Sequence, residues 1–516
     1  GDIYPRWCID ANSGLGAPVF MFYFPLPYYV ASLLWPLTFI GAKADCIYML
    51  SLMLASILTC ITCYHWLRHI TQAPRALLVS VLLLFMPYRM EAMLFRAGYA
   101  EIWGMALMPL FFLSLHRLLL LKPSSTPALA GSTGLLLLTH VPLAMVCAVM
   151  GVVYGYVMAA GKRLLIARKA AIAALWGIGM AAFYLVPAMY FRRFMQPPEL
   201  AGETPWANGF MSAANLADQG RVVVGDALGM LVLLLGALVM LYRRRSIENA
   251  HTRREIKAWL AGSVVAGLLL FPISAPLYNA LKPWSGIVFP WRMQAAFIFA
   301  LAFMLAVWME YFIKPQKLKT WKADYGMLLA LMVLLSFFMV GVRPDDKTLE
   351  DKILATRLAA EPEYQTIWTD KKHFNDEYFF ARLEKKPAQA EVISGRGKVA
   401  VEQWRWNDLV LDADITRPAT IRLDHYYFPV WAGTLEDGNS LELKPEDKSG
   451  QILFDLPAGH SRVHIDYGVF NHMPLIMIII SLLGLKAWSA CLYGVLRYKL
   501  ARMALTNPRA HARFPA

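Results

Sequence analysis

Seven ionisable side chains are candidates for chemistry, Asp2, Arg6, Arg96, Glu101, His140, Arg221 and Arg292, and of these Glu101 and Arg292 stand within a turn or two of strongly apolar runs. A charge near membrane depth is costly and marks a functional site by default. Carboxylates and guanidinium groups together suit one reaction class. A carboxylate takes the proton from an acceptor hydroxyl, while arginines hold a phosphate and stabilise the charge that develops as it leaves. Transfer of a sugar from a lipid-linked phosphate needs both. The donor lipid stays in the bilayer, so such a site belongs at the membrane's outer edge, framed by spans.

Each of these residues also has a plainer reading. Asp2 serves as a solvated loop acid, and Arg6 as its ion-pair partner or that of Asp10. Glu101 opens an apolar run, where an acid favours the positive end of a helix; Arg96, five residues earlier, is its natural partner. His140 precedes Val141-Pro142 and fits a hydrogen-bonded structural role as well as a ligand role. Arg292, after Phe289-Pro290-Trp291, either binds a donor phosphate or snorkels to the interface. Arg192 and Arg221 are weaker phosphate candidates in the loop 191–222, which is long enough to cover a site. Trp7, Phe22, Tyr23, Tyr28 and Trp291 either line a sugar or prenyl groove or form an interfacial aromatic belt. Asp2, Asp10 and Glu101 could share a divalent metal, but no cofactor is assigned.

The elements that must position these groups are membrane spans. The chain has 516 residues, 58% of them hydrophobic and 17% charged, against about 25% charged in soluble domains. Apolar runs of span length recur, at 45–67, 75–90, 98–121, 128–140, 142–160, 168–190, 223–242, 258–275, 291–313, 325–342 and 472–496. The formal charge of +14 does not indicate nucleic acid, because the basic residues cluster at the ends of these runs. Arg68 and Arg75, Arg117 and Lys122, Lys162 to Lys169, Arg243 to Lys257, Lys314 to Lys322 and the tail from Arg497 all fall on one side if the spans alternate. That side is the cytoplasm by the positive-inside rule. The short pair 128–160 must then be a hairpin turning near His140 and Pro142. The stretch 19–41, broken by Pro25, Pro27 and Pro36, reads as helices lying in the interface. Six cysteines show no disulfide framework and no zinc spacing.

Residues 1–44 and 343–470 then lie outside. The latter segment is charged and helical or irregular at first. From Glu391 it shows short alternating runs with turn signals at Asp437-Gly438 and Ala458-Gly459, which predict a small antiparallel sandwich. Three regions follow: 1–342, a transmembrane domain with outer loop 1–44; 343–470, an extracytoplasmic domain, β-rich in its second part; and 471–516, a final span with a basic tail. The fold class is a mainly α-helical polytopic membrane protein of about eleven spans with an inserted extracytoplasmic β-sandwich-like domain.

Several motifs carry a family resemblance. Gly1-Asp2-Ile3-Tyr4-Pro5-Arg6-Trp7, Asn12 to Pro18, and Phe22-Tyr23-Phe24-Pro25-Leu26-Pro27-Tyr28 are similar to the first outer loop of bacterial membrane proteins termed 6-pyruvoyl-tetrahydropterin synthase-related. Arg96-Ala97-Gly98-Tyr99-Ala100-Glu101, Leu138-Thr139-His140 and Phe289-Pro290-Trp291-Arg292 look like further family motifs. Tyr427-Phe428-Pro429-Val430-Trp431 with Asp437-Gly438 does too, with Val430 where related proteins carry Gly. The family in turn resembles the GT-C superfamily of polyprenyl-phosphate-sugar glycosyltransferases; nothing resembles the soluble pterin enzyme. The resemblance implies Asp2 as general base, after a first span expected upstream of Gly1, with Glu101 or Glu91 as a second acid. It implies inverting transfer from a polyprenyl-phosphate-sugar to an extracytoplasmic glycan, lipid or protein acceptor at the bacterial inner membrane. Two other functions fit the same residues: a lipid-binding or transport protein without catalysis, and a scaffold in envelope assembly.

Overall fold

The structure is a computed structural model that describes residues 6–94, 96–122, 124–159, 161–196, 209–212, 234–236, 238–239, 242–243, 247–280, 290–312, 364–370, 382, 387–468 and 473–506. The chain divides into two compact units. One comprises residues 1–23, 183–203 and 343–482; the other comprises 24–182, 204–342 and 483–516.

The larger unit is helical. Its elements include α2 (Leu26–Ser32), α3 (Ala44–Leu67), α4 (Ala73–Leu84), α5 (Pro87–Leu94), α6 (Tyr99–Leu119), α7 (Ser125–Thr139), α8 (Val141–Met158) and the part of α9 (Arg163–Phe191) up to residue 182. Helices Ala250–Leu270 and Gln294–Phe312 follow, as does helix Leu475–Thr506 from residue 483; the short helix α1 (Val19–Phe22) belongs to the smaller unit. Five helices are long and apolar enough to cross a membrane, or up to seven if each of two bent pairs is one span. On α3, Met49, Met53, Ile57 and Ile61 recur every four residues as one exposed apolar stripe, a surface that suits lipid rather than water. The opposite face carries Ser51, Ala55, Thr59 and Thr62, small residues that let helices approach closely. Thr62 donates to the Ala106 carbonyl on α6 at 2.7 Å. The centre of the unit is aromatic: Trp66, Phe112, Trp259, Phe299 and Phe303 pack on one another.

Several expected spans match closely, among them α3, α6 and α8. Two expected as straight helices are bent. The span drawn at 75–90 is α4 and α5, which meet at 45°; that drawn at 258–275 starts at Ala250 and turns by 83° into Pro272–Ala280. The second segment of each opens on a proline, Pro87 or Pro272, which has no N–H to continue the preceding ladder. The stretch 19–41 is indeed broken into short helices, α1, α2 and the 3-10 turn Trp35–Ile40. The expected spans 223–242 and 325–342 lie almost wholly outside the described residues, as does most of 343–386.

The smaller unit holds one antiparallel sheet of seven strands: β1 (Ala390–Arg405), β2 (Asp408–Tyr426), β3 (Trp431–Leu435), β4 (Ser440–Leu441), β5 (Lys444–Pro445), β6 (Gln451–Leu456) and β7 (Gly459–Tyr467). The order is β4-β3-β7-β2-β6-β5, and β1 pairs with the other edge of β2. Turns fall where Asp437-Gly438 and Ala458-Gly459 place them, with Gly438 at φ +83° and Gly459 at φ +133°. The expected sandwich is corrected to a half-barrel of one sheet. The reason is the length of β2. Its first half pairs with β7 and its second with β6, so all strands join through one long ribbon. The apolar face is covered by other segments of the unit instead of a second sheet: Trp7, Leu15, Met21, Phe191 and Met195 share a core with Leu409, Ile421, Phe428 and Trp431.

Candidate functional site

The first turn of α6 carries Glu101, which is 3% exposed. A carboxylate here is favoured by the unpaired N–H groups of the helix start, yet burial in an apolar unit demands further partners. Two side chains supply them. The Tyr88 hydroxyl donates to Glu101 Oε1. Arg96 Nη1 donates to Glu101 Oε2 at 2.8 Å, and Arg96 Nε donates to Glu91 Oε1 at 2.9 Å. The guanidinium also lies 5.2 Å from the centre of the Tyr88 ring.

Local backbone explains this convergence. Pro87 starts α5, which places Tyr88 and Glu91 three residues apart on one helical face. The chain then reverses through Ala97, whose φ is +48°, and the Gly98 N–H returns to the Ala92 carbonyl at 2.8 Å. The reversal brings Arg96 between the end of one helix and the start of the next. One cation thus bridges two buried acids.

Two more of the expected site residues belong to this neighbourhood. His140 and Arg292 both lie within electrostatic range of Glu101. His140 separates α7 from α8 in an extended conformation, and its Nδ1 accepts from the Leu143 N–H at 3.2 Å. It is therefore an N-cap, with the proton on Nε2. Its ring meets Phe24 at 5.0 Å. Gly104 on α6 permits the approach, because a Cβ there would lie 3.0 Å from that of His140. Arg292 sits in the turn Pro290–Met293 that opens helix Gln294–Phe312.

The structure does not unite the whole expected set. Asp2, Arg221 and most of the loop 191–222 lie outside the described residues. Arg6 belongs to the sheet unit, where its Nη2 donates to the Phe183 carbonyl at 3.3 Å. Trp7, read as groove or belt, is a core residue, 2% exposed, against His425, Phe428, Trp431 and Tyr467. Tyr28 and Tyr48 flank Tyr99, whose hydroxyl is shared with Ser51 at 2.5 Å and donates to the Pro27 carbonyl.

Tyr88 was not singled out from sequence, and Arg89 was read only as one of the charges in the outer connections, without a role in the site. Arg89 is 1% exposed and donates to Ser56 Oγ at 2.8 Å and to the Leu84 carbonyl. Among the described residues it has no carboxylate partner. The signal for both was the short polar insert Tyr88-Arg89-Met90-Glu91 after Pro87 in an apolar run.

A cavity of about 410 Å³ opens in the sheet unit, lined by Arg382, Arg422, Asp424, Glu446 and Gln451 among others. Five of its charges are already matched. Arg382 contacts both oxygens of Asp424, at 2.7 and 2.6 Å, and Arg422 pairs with Glu391 and Glu446. Burial nevertheless pushes the Asp424 carboxyl up from its ordinary range, against the pull of Arg382. The cluster at Glu101 differs in bringing two acids and an arginine together at the start of an apolar helix long enough to cross a membrane.

Apolar helices of span length with an ionic cluster at one helix start define a polytopic membrane protein. The chain belongs to the family described as 6-pyruvoyl-tetrahydropterin synthase related domain, a membrane protein family, which matches residues 20–347. No curated protein and no solved structure matches it.

Proposed function

We propose that the chain is a glycosyltransferase of the bacterial inner membrane, resembling the GT-C superfamily, which transfers a sugar from a polyprenyl-phosphate donor to an extracytoplasmic acceptor. The observation that carries this is the buried cluster of Glu101, Glu91 and Arg96, with Arg292 and His140 within electrostatic range of Glu101. Arginines beside an acid at a span's end are what a lipid phosphate requires. The basic residues at the other ends of the spans support an extracytoplasmic site and sheet.

In this mechanism Arg292 and Arg96 hold the donor phosphate, and His140 contributes its Nε2–H. Asp2, matched by resemblance, takes the proton of the acceptor hydroxyl. The acceptor oxygen forms a bond to the anomeric carbon as the sugar–phosphate bond breaks. Polyprenyl phosphate leaves, and the anomeric configuration inverts in this single displacement. Glu101 holds Arg96 in place and sets the charge of the site.

The test is sugar transfer by the full chain in lipid nanodiscs, supplied with polyprenyl-phosphate-sugars and glycan, lipid or peptide acceptors. Transfer with inversion, lost in Asp2→Asn, is expected. Unchanged product in that variant removes Asp2 as the base. The saturation of Glu101 by Arg96 and Tyr88 favours a second function, lipid binding, transport or envelope-assembly scaffolding without catalysis. Donor binding with no turnover of any donor selects it.

A further inference from the structure

A second cluster lies at the opposite end of α6. His116 is in its last turn, roughly 22 Å along the helix from Glu101 at 1.5 Å per residue. His69 lies in the connection after α3, and Glu255 lies in the second turn of helix Ala250–Leu270. One ligand atom from each of these three side chains lies within 4.8 Å of the other two. His69 Nε2 is 2.9 Å from Glu255 Oε1, and His116 Nδ1 is 3.6 Å from the same oxygen. The two imidazole rings are 4.1 Å apart, centre to centre. Glu255 is 1% exposed and His116 5%.

The hydrogen bonds of His69 pose a specific problem. Its Nδ1 faces the Trp66 carbonyl and its Nε2 faces Glu255. Both partners are acceptors, whereas a neutral imidazole has one N–H. With that proton on Nδ1, a bare Nε2 lone pair points at a carboxylate oxygen. Either a second proton or a cation between the two resolves the conflict. A backbone carbonyl on the far nitrogen is the arrangement that fixes a metal-binding imidazole. The Tyr154 hydroxyl is also in the cluster, donating to Glu255 Oε1 at 2.6 Å and lying 3.0 Å from His116 Nδ1.

We propose that His69, His116 and Glu255 form a binding site for a divalent transition metal, zinc in preference to magnesium or calcium. Two nitrogens and one carboxylate are a zinc ligand set, whereas the hard cations take oxygen alone. Tetrahedral zinc spaces its ligand atoms by roughly 3.3 Å, between the 2.9 Å and 3.6 Å observed from Glu255 Oε1 to the two imidazole nitrogens. The fourth position falls to the Tyr154 oxygen, to water or to His251, whose ring is 5.3 Å from that of His116. The three ligands come from three separate elements, so the metal would tie the connection after α3, the end of α6 and the start of helix Ala250–Leu270 together. The site is independent of the sugar-transfer proposal.

The experiment uses the full chain purified in detergent, stripped of metal and then supplied with zinc, cobalt(II) or magnesium. Expected are one zinc per chain by elemental analysis after gel filtration, visible d–d bands of four-coordinate cobalt displaced by zinc, and a rise in melting temperature with zinc but not magnesium. His69→Ala and Glu255→Gln lose the metal, while Tyr154→Phe keeps it with about 10- to 100-fold weaker affinity. A monodisperse wild-type chain that takes up no stoichiometric zinc and gives no cobalt bands overturns the proposal, and leaves His69 doubly protonated. Undiminished metal in folded His69→Ala and Glu255→Gln overturns it equally. The cobalt and melting measurements on the wild-type chain stand even if those variants do not fold.

Discussion

Arg96 grips Glu101 at two points, with Nη1 at 2.8 Å from Oε2 and Nη2 at 3.5 Å from Oε1, while its Nε is committed to Glu91. One guanidinium therefore neutralises part of two buried acids. Removing it leaves both without their cation, so Arg96→Ala is expected to cost about 3–5 kcal/mol, seen as a large fall in melting temperature. A melting temperature within a degree of wild type would show the acids find other partners.

Glu101→Gln keeps the shape and the Tyr88 contact but removes the charge. The variant is expected to fold, with sugar transfer reduced at least ~100-fold because Arg96 is no longer held in register. Transfer rates near wild type in a folded Glu101→Gln chain would detach the cluster from the chemistry.

In the proposed mechanism Arg292 holds the donor phosphate. A charged hydrogen bond contributes about 1.5–3 kcal/mol, so Arg292→Ala is expected to raise the donor KM by roughly 10- to 100-fold, at the same rate per RT. The melting temperature should change little. A lowered kcat at constant KM would instead place Arg292 on the transition state alone.

Trp7 and Gly16 hold the segment before α1 in the sheet unit. Gly16 has φ +78°, and a Cβ on it would lie 2.3 Å from Trp7 Nε1 and 2.7 Å from His425 Cε1. Trp7→Ala should cost about 3–5 kcal/mol. Gly16→Ala should cost more than the ~1 kcal/mol of its left-handed backbone alone, because two buried rings must also shift. Limited proteolysis of the sheet strands reads both effects.

His425 gives the sheet unit an acid sensitivity. It is fully buried among Trp7, Trp404 and Trp431, with neither ring nitrogen hydrogen-bonded among the described residues. Burial pushes its pKa down to about 3. The folded value is depressed, so the unfolded chain takes up the proton first, and stability falls as pH drops from about 6.5 towards 3. The slope is about 1.4 kcal/mol per pH unit for one proton. Melting curves of wild type and His425→Phe should diverge above pH 6.5 least and near pH 4 most. Parallel curves over that range would remove His425 as the source.

Much of the helical framework was legible because the length of an apolar run is a local property. The run 45–67 became α3 with a difference of one residue, and the expected pairing of Arg96 with Glu101 followed from their spacing. What failed depended on distant contacts. Alternation marked the strands, but it could not tell whether a second sheet or other chain segments would cover their apolar face. Trp7 was ambiguous for the same reason, since its neighbours lie near the far end of the sequence. His140 was readable as a structural group, yet its capping of α8 needed the extended backbone. The role of Tyr88 needed the bend at Pro87, which brings α5 to the start of α6.

The contact between Trp7 and Trp431 also sets a clock. Roughly 420 residues separate them, so at ~5–20 residues per second the ribosome takes about 20–85 s to deliver the second ring after the first. For that interval the segment around Trp7 has been made but has no sheet to fold onto. An apolar strap that waits so long is a natural client for a holding chaperone, and premature trapping of this segment would be a characteristic way for biogenesis to fail.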